Sequence, residues 1–124
     1  MPQVTMPICL GLSVFVILIA IPLARRRIPP NRWYGFRVAA TFADREVWFE
    51  TNAQAGRDLI ALGVLLTLVA LVLPLLTPVI SPQLQLLLYA LVLVVGSIVI
   101  TVRGLRLASR LLAQRRRFDS PRPS

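Results

Sequence analysis

The run Leu59-Ile60-Ala61-Leu62-Gly63-Val64-Leu65-Leu66-Thr67-Leu68-Val69-Ala70-Leu71-Val72-Leu73-Pro74-Leu75-Leu76 decides the fold class. It carries no formal charge, and 13 of its 18 residues are Leu, Ile or Val. That length approaches the ~20 residues an α-helix needs to cross ~30 Å of hydrocarbon. At about −0.3 to −0.6 kcal/mol per aliphatic residue, insertion gains roughly 6 kcal/mol, which outweighs Gly63, Thr67 and Pro74. Two more charge-free blocks follow the same rule, Val4 to Ala24 and Leu84 to Val102, the latter with Leu, Ile or Val at 13 of 19 positions. The expectation is an all-α membrane protein with three transmembrane helices.

Charge sets the expected orientation. The chain of 124 residues has a net charge of +9, and its basic residues are all arginine. Arg25, Arg26, Arg27, Arg32, Arg37, Arg45 and Arg57 lie between the first two spans, and Arg103, Arg106, Arg110, Arg115, Arg116, Arg117 and Arg122 follow the third. The turn Thr77-Pro78-Val79-Ile80-Ser81-Pro82-Gln83 has none. Cytoplasmic loops carry the arginine excess, so the amino terminus is expected outside and the carboxyl terminus in the cytoplasm. A cleaved signal peptide would put positive charge ahead of its apolar run, whereas here Arg25-Arg26-Arg27 follows it; the first block reads as a retained span. The charge is then mainly a topology signal, and nucleic-acid binding is not expected. Arg25, Arg26, Arg27, Arg115, Arg116 and Arg117 are candidates for anionic lipid headgroups, at about 1 kcal/mol per charge.

Little in the composition points to catalysis. There is no histidine, and the single cysteine, Cys9, sits between Ile8 and Leu10 as a small hydrophobe. No glycine-rich phosphate loop, metal constellation or nucleophile beside a base occurs, so no enzyme, metal or cofactor is expected. Glu46 and Glu50 share a helix face and read as a solvated face offsetting nearby arginines. Small residues suggest how the spans pack: Gly56, Gly63, Thr67 and Ala70 in one stripe, and Ala90, Ser97, Thr101, Gly104 and Ala108 in another. Beyond Val102 the apolar spacing of Leu105, Ala108, Leu111 and Leu112 predicts that the third helix continues as an interfacial helix. From Asp119 onward the tail is expected to be disordered.

Residues 28 to 57 are more than a simple anchor needs. Ile28-Pro29-Pro30-Asn31-Arg32-Trp33-Tyr34-Gly35-Phe36-Arg37-Val38 combines prolines that stop a helix, aromatics suited to the headgroup level and a glycine for a bend. Thr41 and Asp44 read as a capping pair, with Asp44 and Glu46 in a first helical turn. Trp48, Asn52, Ala55, Gly56 and Leu59 then recur at helical spacing, predicting an interfacial helix that runs into the second span, with a break placed at Gly56.

Pro30-Asn31, Tyr34-Gly35, Arg37, Thr41, Trp48, Asn52 and Ala55-Gly56, in that order, resemble the hallmark of the SdpI family of small bacterial membrane proteins, named for an immunity protein against a secreted peptide toxin. The resemblance covers residues 28 to 57, and the two spans after it fit that family's arrangement. Longer members carry further membrane segments ahead of this unit, whereas one span precedes it here. Residues 1–124 thus read as a single SdpI-like domain.

The resemblance implies a multi-pass protein of the bacterial cytoplasmic membrane. It also implies that Asn31, Tyr34, Gly35, Arg37, Thr41, Trp48, Asn52 and Gly56 are candidate partner-contact residues, the partner being a peptide toxin or a cytosolic regulator. Each also has a plainer role. Arg37 pairs with Asp44, Glu46 or Glu50, or only sets topology; Trp48 packs against Gly35 or sits in the aromatic belt; Asn31 caps a turn. The competing expectation is a small subunit of a membrane complex or an oligomeric transporter, for which homo-oligomerisation is expected. A coupled transporter needs an ionisable group within the bilayer, and only Asp58, at the edge of the second span, comes near.

Overall fold

The computed structural model describes residues 2–119. Its elements are α1 (Pro2–Ala24), α2 (Ala39–Ala43), α3 (Arg45–Val72), a 3₁₀ turn (Leu73–Leu76) and α4 (Pro82–Asp119). The helices α1, α3 and α4 are each long and apolar enough to cross a membrane. α3 lies in the middle and packs along both α1 and α4, which touch each other little. Large aliphatic side chains such as Ile8, Leu18, Leu68 and Leu87 are exposed; a solvent of hydrocarbon tails accounts for that, and water would not.

Small residues let the helices approach closely. A Cβ at Gly56 would fall on the backbone of Ala20 and Ala24, and one at Gly63 would meet Ile17 and the Ser13 carbonyl. The α3 stripe is therefore an α1 contact, with Ala70 also buried. In α4 the expected stripe divides. Gly104 and Ala108 are buried against the rest of the chain, but Ala90, Ser97 and Thr101 face outward. Gly96, absent from the expected stripe, meets Leu62 instead. The reason is geometric: α4 crosses α3 so that Gly96, rather than Ser97, points at it.

One polar node ties α1 to α4 inside the apolar region. Ser13 Oγ lies 2.8 Å from the Tyr89 hydroxyl, and both hydroxyls reach the Cys9 carbonyl, at 2.7 and 2.9 Å. In a medium without water these groups must satisfy one another. Cys9 itself is buried, as a small hydrophobe should be.

Two expectations about α3 change. The helix runs without interruption through Gly56, because the close seat on α1 holds that glycine in helical geometry. The break falls at Asp44, an extended residue whose carboxylate accepts from the N–H groups of Glu46 and Val47. Asp44 is thus the cap of α3. Thr41 does not pair with it; its hydroxyl accepts from Val38 N–H and donates to the Val38 carbonyl, closing the single turn of α2. At the other end Pro74, which lacks an N–H, stops the α-ladder, and the chain tightens into a 3₁₀ turn.

α4 continues past Val102 as one unbroken helix. Its small-residue side meets protein: Gly104 contacts the Phe36 ring and Ala108 is fully buried. The helix beyond the span thus packs on α2 and α3 rather than presenting all of that side to headgroups. Of the tail expected to be disordered, Asp119 ends α4 and residues 120–124 lie outside the described residues.

Candidate functional site

The loop between α1 and α2 is built by three side chains. Asn31 Oδ1 accepts from the N–H groups of Trp33 and Tyr34, at 2.9 and 2.7 Å, while its Nδ2 donates to the Pro29 carbonyl. This is an Asx turn, with the amide standing in for a backbone group. Trp48, fully buried on α3, donates its indole N–H to the Ile28 carbonyl at 2.9 Å. Asn52, one turn further on, accepts from the Phe36 N–H and donates to the carbonyls of Phe36 and Trp48, at 3.3 and 3.0 Å.

Gly35 explains its own identity. Its φ is +109°, and a Cβ there would lie 2.7 Å from Asn52 Oδ1 and 3.3 Å from the Trp48 ring. Only glycine supplies that backbone at that distance. Trp48 therefore packs against the bend at Gly35 and is not an aromatic-belt residue. Phe36, held by Asn52, lays its ring on Gly104, where a Cβ would come within 2.8 Å. The loop is thereby wedged between α3 and α4.

An ion-pair cluster lies beside this framework. α1 ends in a Schellman motif, with Arg27 N–H to the Pro22 carbonyl and Arg26 N–H to the Leu23 carbonyl. Arg26 takes the left-handed position, φ +57°, where glycine is usual. Its guanidinium pairs with Glu46 and Glu50. Arg115 of α4 reaches Asp44 and Glu46, at 3.9 and 3.6 Å. Asp58 Oδ2 lies 3.0 Å from Arg103 Nε, without the alignment of a hydrogen bond, so charge alone holds that pair.

The expected site residues thus separate into two groups. Gly35, Trp48 and Asn52 come together as a packed clasp, while Asn31 shapes the loop ahead of it, Thr41 closes α2 and Gly56 seats α3 on α1. Tyr34 is half-buried, and that partial burial pushes its phenol above its ordinary pKa. Arg37 stands apart: it is exposed and forms no ion pair among the described residues, and Asp44, Glu46 and Glu50 are paired with Arg26 and Arg115 instead. Trp33, 89% exposed, shares its outward setting, whereas Phe42, though half-exposed, tilts its ring against Trp48 at 5.5 Å between centroids. All six headgroup candidates, Arg25, Arg26, Arg27, Arg115, Arg116 and Arg117, are exposed, and Arg26 and Arg115 are also engaged with carboxylates.

Sequence reasoning missed Phe36 as a structural wedge. Its signal was present in Gly104 and Ala108, two small residues four apart beyond the span, which mark a close approach by something bulky. Among the described residues no group of His, Cys, Asp and Glu side chains is placed to hold a metal ion.

No curated protein and no solved structure matches the chain. The SdpI/YfhL protein family matches over residues 27–102, from the start of the clasped loop to the charge-free end of α4. A framework at residues 28–56 followed by two long apolar helices is the part of the molecule covered by that match, and this multi-pass membrane protein belongs to the SdpI/YfhL family.

Proposed function

We propose that this chain is a non-catalytic protein of a bacterial cytoplasmic membrane that confers immunity to a membrane-active peptide, signals by binding a cytosolic protein, or does both. The observation that carries the reading is the division within residues 28–57. Trp48, Asn52 and Gly35 lock the loop to α3, and Trp33 and Arg37 project from it. A loop serving only to join two spans needs no such lock; a preformed surface that meets a partner does, because ordering it beforehand removes an entropy cost from binding. In this reading the arginine-bearing side is cytoplasmic and the 77–83 turn is external.

The test is survival of a peptide-sensitive bacterium expressing the chain. Protection lost in Trp33→Ala, Arg37→Ala, with membrane levels unchanged, supports the reading. Full protection by that variant removes the projecting residues from the mechanism, and absence of protection by the wild type against every membrane-active peptide tried removes immunity.

A second reading, a subunit of a larger membrane assembly, is favoured by the outward stripe of Ala90, Ser97 and Thr101 on α4. Crosslinking in native membranes that recovers only a larger membrane complex, or copies of the chain itself, would select it.

A further inference from the structure

We propose that Arg106 and Arg110, with Ser109 beside them, form a site on α4 for the phosphate of an anionic phospholipid in the leaflet on the arginine-bearing side. The proposal depends neither on peptide immunity nor on which side of the membrane is cytoplasmic.

The level of the site follows from the length of α4. Its charge-free part ends at Val102, and the headgroup layer beyond the hydrocarbon is about 5 to 8 Å deep. At 1.5 Å per residue, the Cα of Arg106 lies about 6 Å beyond Val102 and that of Arg110 about 12 Å. Helix side chains lean toward the amino end, and α4 leaves the hydrocarbon by its carboxyl end, so both arginines lean back toward the bilayer. A lean of one turn, about 5 Å, brings the Arg110 guanidinium near the level of Arg106. The extension stands upright on the membrane because it is held to the rest of the chain: Phe36 lies against Gly104, and Arg115 reaches Asp44 and Glu46. Arg115, Arg116 and Arg117, expected from the sequence to meet headgroups, begin about 20 Å beyond Val102, which a screening length of ~8 Å puts out of reach.

Charge singles out the same pair. Arg103, at the boundary, is taken by Asp58 at 3.0 Å. Arg106 and Arg110 are exposed and form no ion pair among the described residues. They stand one turn apart, within about 40° of each other, on the side away from the buried Gly104 and Ala108. Together with Leu105 and Ser109 they line a shallow groove. Val102, one turn nearer the hydrocarbon on the same face, is exposed, as is Leu105, so acyl chains have an apolar surface directly below the arginines.

The bilayer supplies the occupant, and the chemistry of the groove selects among its lipids. Guanidinium forks match phosphate oxygens, and the Ser109 hydroxyl is a further donor. A choline headgroup would set its own cation against two arginines, whereas a glycerol headgroup brings none. The site therefore prefers phosphatidylglycerol to phosphatidylcholine.

The test is native mass spectrometry of the full chain, released from micelles that contain the two lipids in equal amounts. We expect the wild type to retain phosphatidylglycerol preferentially, and Arg106→Gln, Arg110→Gln to reduce that preference at least about fivefold. The charge-matched variant Arg45→Gln, Arg117→Gln alters arginines about 20 Å or more from the Asp58 and Arg103 level, and should reduce it less than about twofold. Melting temperatures of both variants should stay near that of the wild type, since none of the altered arginines forms an ion pair among the described residues. Equal loss in the two variants would assign the preference to net charge, and a wild type that does not discriminate would have no such site. Loss of the bound lipid on adding millimolar glycerol phosphate would make it a site for soluble anions. Each of these three results overturns the proposal.

Discussion

Asn52 on α3 grips Phe36 by both of its backbone polar groups, accepting from the N–H and donating to the carbonyl. The side chain is 2% exposed, so water cannot replace it. Asn52→Ala would leave the Phe36 groups and the Trp48 carbonyl with fewer partners, at a cost of about 2 to 3 kcal/mol. Asn52→Asp should cost more, since a carboxylate oxygen would face two carbonyls. Thermal unfolding in detergent, followed by circular dichroism, reads both; a midpoint unchanged in either would remove the clasp from the stability of the fold.

Gly35 is fixed by the same clasp. Gly35→Ala combines an unfavourable positive φ with a methyl 2.7 Å from Asn52 Oδ1, and should destabilise the loop by about 1 to 3 kcal/mol. Limited proteolysis at Arg32 and Arg37 is the sensitive readout: faster cleavage in the variant is expected, and an unchanged rate would contradict the account.

Close packing of α1 on α3 predicts a contrast between two glycines. Gly56→Ala has no space, since its methyl would fall on the Ala20 and Ala24 backbone, whereas nothing lies within 4 Å of a methyl at Gly11. The first change should lower the melting temperature by several degrees, and Gly11→Ala should leave it unaltered or slightly raised. Similar behaviour of the two would refute the packing argument.

Tyr89→Phe removes a hydroxyl that bridges Ser13 and the Cys9 carbonyl. Hydrogen bonds between membrane helices average about 0.6 kcal/mol, so a loss of roughly 1 kcal/mol is expected for the two contacts. Ser97→Leu should cost nothing in the monomer, because Ser97 is exposed and bonds only within its own helix, to Leu93. A fall in monomer stability for Ser97→Leu would show that its face is covered within the chain.

Orientation is checked by labelling. With Cys9→Ser as background, Val79→Cys in the exposed turn should react with a membrane-impermeant maleimide added to intact cells, and Ala113→Cys should not. The reverse pattern would invert the proposed topology.

The sequence alone determined the three long helices, the turn after Thr77 and the asymmetry of charge, because each rests on a local quantity: a run of aliphatic residues, a proline, a count of arginines. It also picked out Asn31, Gly35, Thr41, Trp48 and Asn52, since their order along the chain is itself a pattern. Their physical task was decided by tertiary structure. Trp48 meets Ile28 across twenty residues and Asn52 meets Phe36 across sixteen, and no helical period encodes which loop atom lies opposite a given face. The same holds for the charges. Composition gives fourteen arginines and five acids, but only the approach of α1, α3 and α4 assigns Arg26, Arg103 and Arg115 to carboxylates. Among the described residues Arg37 is left without one, because ion pairing depends on distances of a few ångströms that form only when separate helices are brought together.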